Sequence, residues 1–222
     1  MVREFFRKAG ESGLDHIAEQ VQSMVPSCHR TFIDSTAAVF GDVTAASVES
    51  RVREIDQSIN LAEQEVRRLL VVHASVRAGQ DSGLLLAYMN VVKDLERVGD
   101  YNKNVLDLAL DGVTVTDGAL RELSDELGER IRAVGEILQN QDEEVARGFI
   151  ERGDELRRTF DDAVSLLVRT DEPGASAVPK TLLYRYFKRI NAHCTNVVSA
   201  VVMPLDRIDY FDEDQGDRVV PD

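Results

Sequence analysis

The sequence predicts an all-α protein: six helices forming two tandem, related three-helix bundles. Apolar residues recur at alternating steps of three and four along almost the whole chain. No segment sustains the alternation and composition of a strand. A turn-rich break near the middle separates two stretches whose sequences align with each other.

The elements follow in order. A first helix over about 13–40 contains Pro26, a candidate kink. Gly41 ends it, and Asp42 or Thr44 can cap a second helix over about 43–75. That helix carries the seam Val48, Val52, Ile55, Ile59, Ala62, Val66 and Leu69. Asp81 or Ser82 caps a third helix over about 82–111. The segment "DGVTVTDG", from Asp111 to Gly118, holds a helix stop and a fresh cap, and is the best internal boundary. A fourth helix, about 117–139, repeats the seam with Leu120, Leu123, Leu127, Ile131, Val134 and Leu138. Asn140 or Asp142 starts a fifth over about 142–169, with Phe149, Leu156, Phe160, Ala163 and Leu167 inward and Gly153 at one step. "DEPGASAVP" reads as a loop before a sixth helix over about 178–203, with Leu183, Phe187, Ile190, Cys194, Val197 and Val201 inward. Pro204 closes it. Residues 1–112 and 113–205 are thus the two bundles, and 206–222 is an acidic, solvated tail with seven acids against two arginines.

Composition narrows the function classes. At 43% hydrophobic and 30% charged residues, the chain is of globular type. Its formal charge of −14 argues against a nucleic-acid partner, because binding a phosphate backbone needs a basic face. No apolar run approaches the roughly 18 residues that span a bilayer. The N-terminus "MVREFFRKAGESG" lacks a signal-peptide core, so the expected location is cytoplasmic. Within it, "EFFRK" reads as packing on a neighbouring helix, with peripheral membrane contact left open. Cys28 and Cys194 fall on apolar stripes far apart in sequence, and read as reduced core thiols. His16, His29, His73 and His193 lack ligand spacing and read as surface or boundary residues.

The stretch "KDLERVGDYNKNV", residues 93–105, is the most informative. Glu96 and Asp100 stand one turn apart, with Gly99 before the second. Like charges at this spacing cost a helix roughly 0.2–0.5 kcal/mol, and the glycine roughly 1 more. With Val91, Leu95, Val98, Val105 and Ala109 facing the core, the two acids lie on an outer or interbundle face. One reading pairs them with Lys93 and Lys103. The other makes them oxygen ligands for a cation, completed by Asp56 on the second helix, near Glu49, Asn60 and Glu63. "LERVGDYNKNVLDLA" aligns with "FKRINAHCTNVVSAV", setting Leu95 against Phe187 and Asn104 against Asn196; Ile55 and Ile59 meet Leu156 and Phe160.

"DLERVGDYNKNV" resembles the "LERIGDxxxN" signature of the PhoU family, whose members are two three-helix bundles with this motif on each third helix. The resemblance implies a cytoplasmic regulator acting on a phosphate transporter component or a phosphate-signalling kinase. It also implies E-x-x-x-D on the third helix facing D-x-x-x-D on the second, where some members hold metal ions, including iron clusters. Here Asp56, Glu96 and Asp100 match, but the remaining acid position is Val52, with Glu49 one turn earlier. In the second half the corresponding residues are Lys188, Asn191 and Ala192, facing Gly153 and Arg157. A divalent or iron cation is therefore expected in the first half only.

The sequence offers no nucleophile–base pair, no glycine-rich phosphate loop and no E-x-x-H pair, so an enzyme is not expected. The leading expectation is a non-enzymatic, PhoU-like regulator of phosphate transport working through protein contacts. An iron storage or sensing protein, and an adaptor of another transporter or kinase, are the alternatives. A homodimer is left open.

Overall fold

The computed structural model describes residues 12–77 and 81–203, so the N-terminal "EFFRK" segment and the tail 206–222 lie outside the described residues. These residues form helices α1 (Ser12–Val39), α2 (Ala45–Arg77), α3 (Ser82–Leu110), α4 (Gly118–Asn140), α5 (Glu143–Val168) and α6 (Gly174–Val202). No strand occurs among them.

Local chemistry sets the boundaries. Gly41 and Gly112, at φ of 82° and 85°, end α1 and α3 in the left-handed conformation that glycine adopts without strain. Asp117 caps α4 by accepting from the Leu120 N–H at 3.0 Å. Asp142 caps α5 by accepting from the N–H groups of Glu144 and Val145. Asp81 stands at the start of α3 without a side-chain cap bond, because its carboxylate meets His73 at 2.9 Å instead. The sixth helix begins at Gly174, four residues before the expected start. Pro173 precedes it, and its carbonyl accepts the first helical bonds, from Ser176 and Ala177. Pro179 is therefore carried inside the helix, as Pro26 is in α1.

The helices pack as two halves around one continuous core. Helix α1 packs on α2, α3 and α4; α6 packs on α3, α4 and α5; and α3 lies against α6. One apolar cluster runs through both halves, from Ile17, Met24 and Phe32 to Leu183, Phe187 and Val197. Phe32 of the first half meets Phe187 of the second with ring centroids 5.7 Å apart. Cys28 and Cys194 are buried free thiols in this core. Burial pushes the Cys194 thiol up to about 12, so it stays protonated at neutral pH.

The linker 111–117 also ties the halves. The Val115 N–H donates to the Val39 carbonyl at 2.9 Å. Arg121 makes a two-pronged bond to Asp42 and lies 4.6 Å above the Phe40 ring.

Helix α5 leans on α6 and meets α4 at few points, one being a fork from Arg152 to both oxygens of Glu126, at 2.7 and 2.9 Å. Arg152 holds the Glu126 carboxyl below its usual value, against the opposing effect of burial. The bridge therefore contributes fully above the usual glutamate range and loses that contribution as pH falls below it, through the lowered value of the folded state. Glu126→Gln is expected to cost about 0.5–1 kcal/mol at pH 7, the partly exposed pair being screened by solvent. In urea denaturation at several pH values, the variant and wild type are expected to converge on the acid side.

Candidate functional site

The "LERVGD" motif lies where α3 crosses α2, and its glycine explains the closeness of that crossing. A Cβ on Gly99 would stand 3.2 Å from Cδ1 of Ile59 and 3.7 Å from Oδ1 of Asp56. Glycine's helix penalty is thus offset by the approach of α2, which buries Val52 and Ile59 and brings Asp56 beside the motif.

Glu96 and Asp100 are half-buried in this seam rather than turned fully outward. Between Asp56 and Asp100 sits Lys103. Its Nζ donates to Asp56 Oδ2 at 2.9 Å and to Asp100 Oδ1 at 3.2 Å. Arg97 donates to the other Asp100 oxygen at 3.2 Å and approaches Glu96 at 3.6 Å. Burial works against the charge of Lys103, but the two aspartates outweigh it and hold the ammonium above the usual lysine range. Burial first, then the charges of Asp100 and Glu63, push the Glu96 carboxyl above its usual range. Glu63 is bonded to Arg67 at 2.6 Å, and Glu49 to Arg53 at 2.9 Å. Arg53 reaches across to Asp107 of α3. The structure thus brings Asp56, Glu96 and Asp100 together, with basic side chains threaded among them. Lys93 is exposed, and Lys103 supplies the ammonium.

The second half is wired differently at the matching positions. Lys188, which stands where Glu96 does, donates to both oxygens of Asp161 at 2.7 and 2.8 Å. Arg157, opposite Asp56 in the repeat, lies 3.8 Å from Asp154 and 3.9 Å from Asp161. Gly153 now provides the close approach: a Cβ there would stand 2.5 Å from Thr195 Oγ1. Asn191, in the glycine position, donates to the Gly153 carbonyl and accepts from Arg130 Nε.

A family model described as the PhoU domain matches residues 14–109, which hold the intact motif. A "phosphate-specific transport system accessory protein PhoU homolog" from Synechocystis sp. is 26% identical over 210 residues, covering 86% of this chain and 88% of that protein. The crystal structure of PhoU from Pseudomonas aeruginosa superposes with a TM-score of 0.74 at 19% identity, covering 88% of this chain and 98% of that one. The chain has the PhoU fold. The PhoU domain match falls on the first half, while the structural likeness extends the PhoU fold over both.

Three functional-looking polar groups escape the sequence reading. His193 is buried, not a surface residue, and its Nδ1 lies 2.7 Å from Asp94 Oδ1 on the other half. Its partner lies 99 positions away, so the search for a neighbouring acid missed it. Asn102 is fully buried and ties α3 to α1 through the Cys28 carbonyl and Thr31. Arg130, on the expected apolar face of α4, is buried against Asn191, the Phe149 carbonyl and the Phe149 ring. For His193 the signal that could have found it is the repeat, which sets Asp94 against Tyr186 and Tyr101 against His193. The pairs Asp94–His193 and Tyr186–Tyr101, the latter 6.0 Å between ring centroids, are thus contacts between repeat-equivalent positions.

The crossing at Gly99 gives a graded expectation. Gly99→Ala should change stability little, a helix gain of about 1 kcal/mol offsetting a small shift of the Ile59 methyl. Gly99→Leu should cost about 1–3 kcal/mol, because α2 must move away. Urea denaturation followed by circular dichroism reads both.

Proposed function

We propose that this chain is a non-enzymatic accessory regulator of phosphate transport, acting in the cytoplasm through contacts with a transporter component or a phosphate-signalling kinase. The PhoU-domain match over residues 14–109 is the observation that carries this reading, with the similarity to the Synechocystis phosphate-specific transport accessory protein beside it. No helix among the described residues is long and apolar enough to cross a membrane.

The site chemistry supports contact rather than direct phosphate sensing. An oxyanion site needs several basic side chains or N–H groups free to converge. In the two seams, Arg53, Arg67, Arg97, Lys103 and Lys188 are each engaged by carboxylates. Iron storage or sensing, the alternative, asks for carboxylates open to a cation, and Lys103 engages two of the three candidates.

Deleting the gene should alter phosphate uptake and the expression of phosphate-starvation reporters, and a plasmid copy should restore both. Unchanged uptake under replete and starved conditions would overturn the reading.

A further inference from the structure

The family resemblance implies a metal in the first-half seam, and the donor set there can be compared with what a metal needs. A hard cation asks for carboxylate oxygens free to turn toward a common point. Asp56 Oδ2 and Asp100 Oδ1 are instead turned onto Lys103 Nζ, and Asp100 Oδ2 is taken by Arg97. Among the described residues no group of three or more His, Cys, Asp or Glu is arranged to hold a metal ion. As placed, these residues do not fit one.

We propose that Lys103 is the resident cation of this seam, an ammonium tethered to α3 that joins α2 to α3 in place of a metal ion. Its chemistry suits that role, because an ammonium is a compact point charge with three donors, able to serve two carboxylates at once. The 2.9 Å bond crosses from α3 to α2, and the 3.2 Å bond closes on the acid one turn away. The side chain is only 27% exposed, so water screens this pairing less than it would at a free surface.

The second half supports the proposal independently. Its cations arise at other positions, Lys188 for Glu96 and Arg157 for Asp56, and the acid they face, Asp161, stands where the first half has Asn60. Thr195 occupies the place of Lys103. The positions differ, yet in each half a lysine of the third helix bonds an aspartate of the middle helix, so each seam is joined by the chain's own basic groups. The geometry therefore assigns both halves a metal-independent joint.

The test uses the purified full chain, titrated calorimetrically with Mn²⁺, Zn²⁺ and ferric citrate, with metal content read after dialysis. Wild type is expected to retain no stoichiometric ion and to keep its melting temperature in EDTA. Lys103→Thr, which installs the residue of the second half, is expected to bind Mn²⁺ at least tenfold more tightly than wild type. Adding Asp100→Asn should abolish that gain. A stoichiometric ion in wild type that is lost in Asp56→Asn or Asp100→Asn overturns the proposal. So does a folded Lys103→Thr that binds no more tightly than wild type. Circular dichroism confirms folding, and Lys103→Gln replaces a Lys103→Thr that fails to fold. Phosphate uptake is not read here, so failure would leave the accessory role standing.

Discussion

The packing of α3 against α6 is the constraint from which the rest of the structure follows. Each of these helices must bury one side against the first helix of its half, a second against the middle helix, and a third against its counterpart. A helix covered on three sides has little room for exposed polar residues. Asp94 and His193 are accordingly buried and pair with each other at 2.7 Å, while Tyr101 stacks on the His193 ring and meets Tyr186 at a tilt. Burying either partner alone would leave an unsatisfied polar group at a cost of about 1–3 kcal/mol. The pair therefore specifies how the halves meet as well as joining them.

The same constraint confines the carboxylates of the family motif to the strip facing α2. There Glu96 and Asp100 would repel each other, and partial burial sharpens the conflict, as the raised Glu96 carboxyl reflects. Lys103 resolves it for Asp100 and Asp56. Glycine placement obeys a similar economy of space. In the first half the gap is made on the third helix, at Gly99, and in the second on the middle helix, at Gly153. A crossing needs one missing side chain, and the two halves delete it from opposite partners.

The helices were legible in the sequence because a 3.6-residue period is local, and so were the caps at Asp117 and Asp142, which act within three residues. The gathering of Asp56, Glu96 and Asp100 was legible from the helical faces and from the resemblance to the PhoU motif. What surrounds those acids was not. A wheel separates apolar from polar, but it cannot say which polar side chains another helix covers. Asn102, Arg130 and His193 reach partners 74, 61 and 99 positions away, and each was hidden for that reason. The early start of α6 was hidden differently: proline and glycine suggest a loop, but Pro173 before the helix and Gly174 at its first position suit a helix start.

Arg130 gives a physical account of why the acidic motif could be lost from the second half. Burial pulls its guanidinium down to about 10, so it remains a cation at neutral pH, yet its bonds run to neutral groups. It donates to Asn191 on α6 and to the Phe149 carbonyl on α5, and stacks on the Phe149 ring at 3.8 Å. Asn191 then donates to the Gly153 carbonyl, closing a network over all three helices of that half. With the joint made inside the bundle, the rim positions no longer need carboxylates and are free to hold Lys188, Ala192 and Arg157. Among the described residues the first half has no buried arginine; Cys28 there donates to the Leu95 carbonyl and Asn102 spans α1 and α3, neither reaching α2. Its α2–α3 joint has to be made at the rim, where Asp56 and Asp100 meet across Lys103. The motif persists in the half whose core cannot replace it.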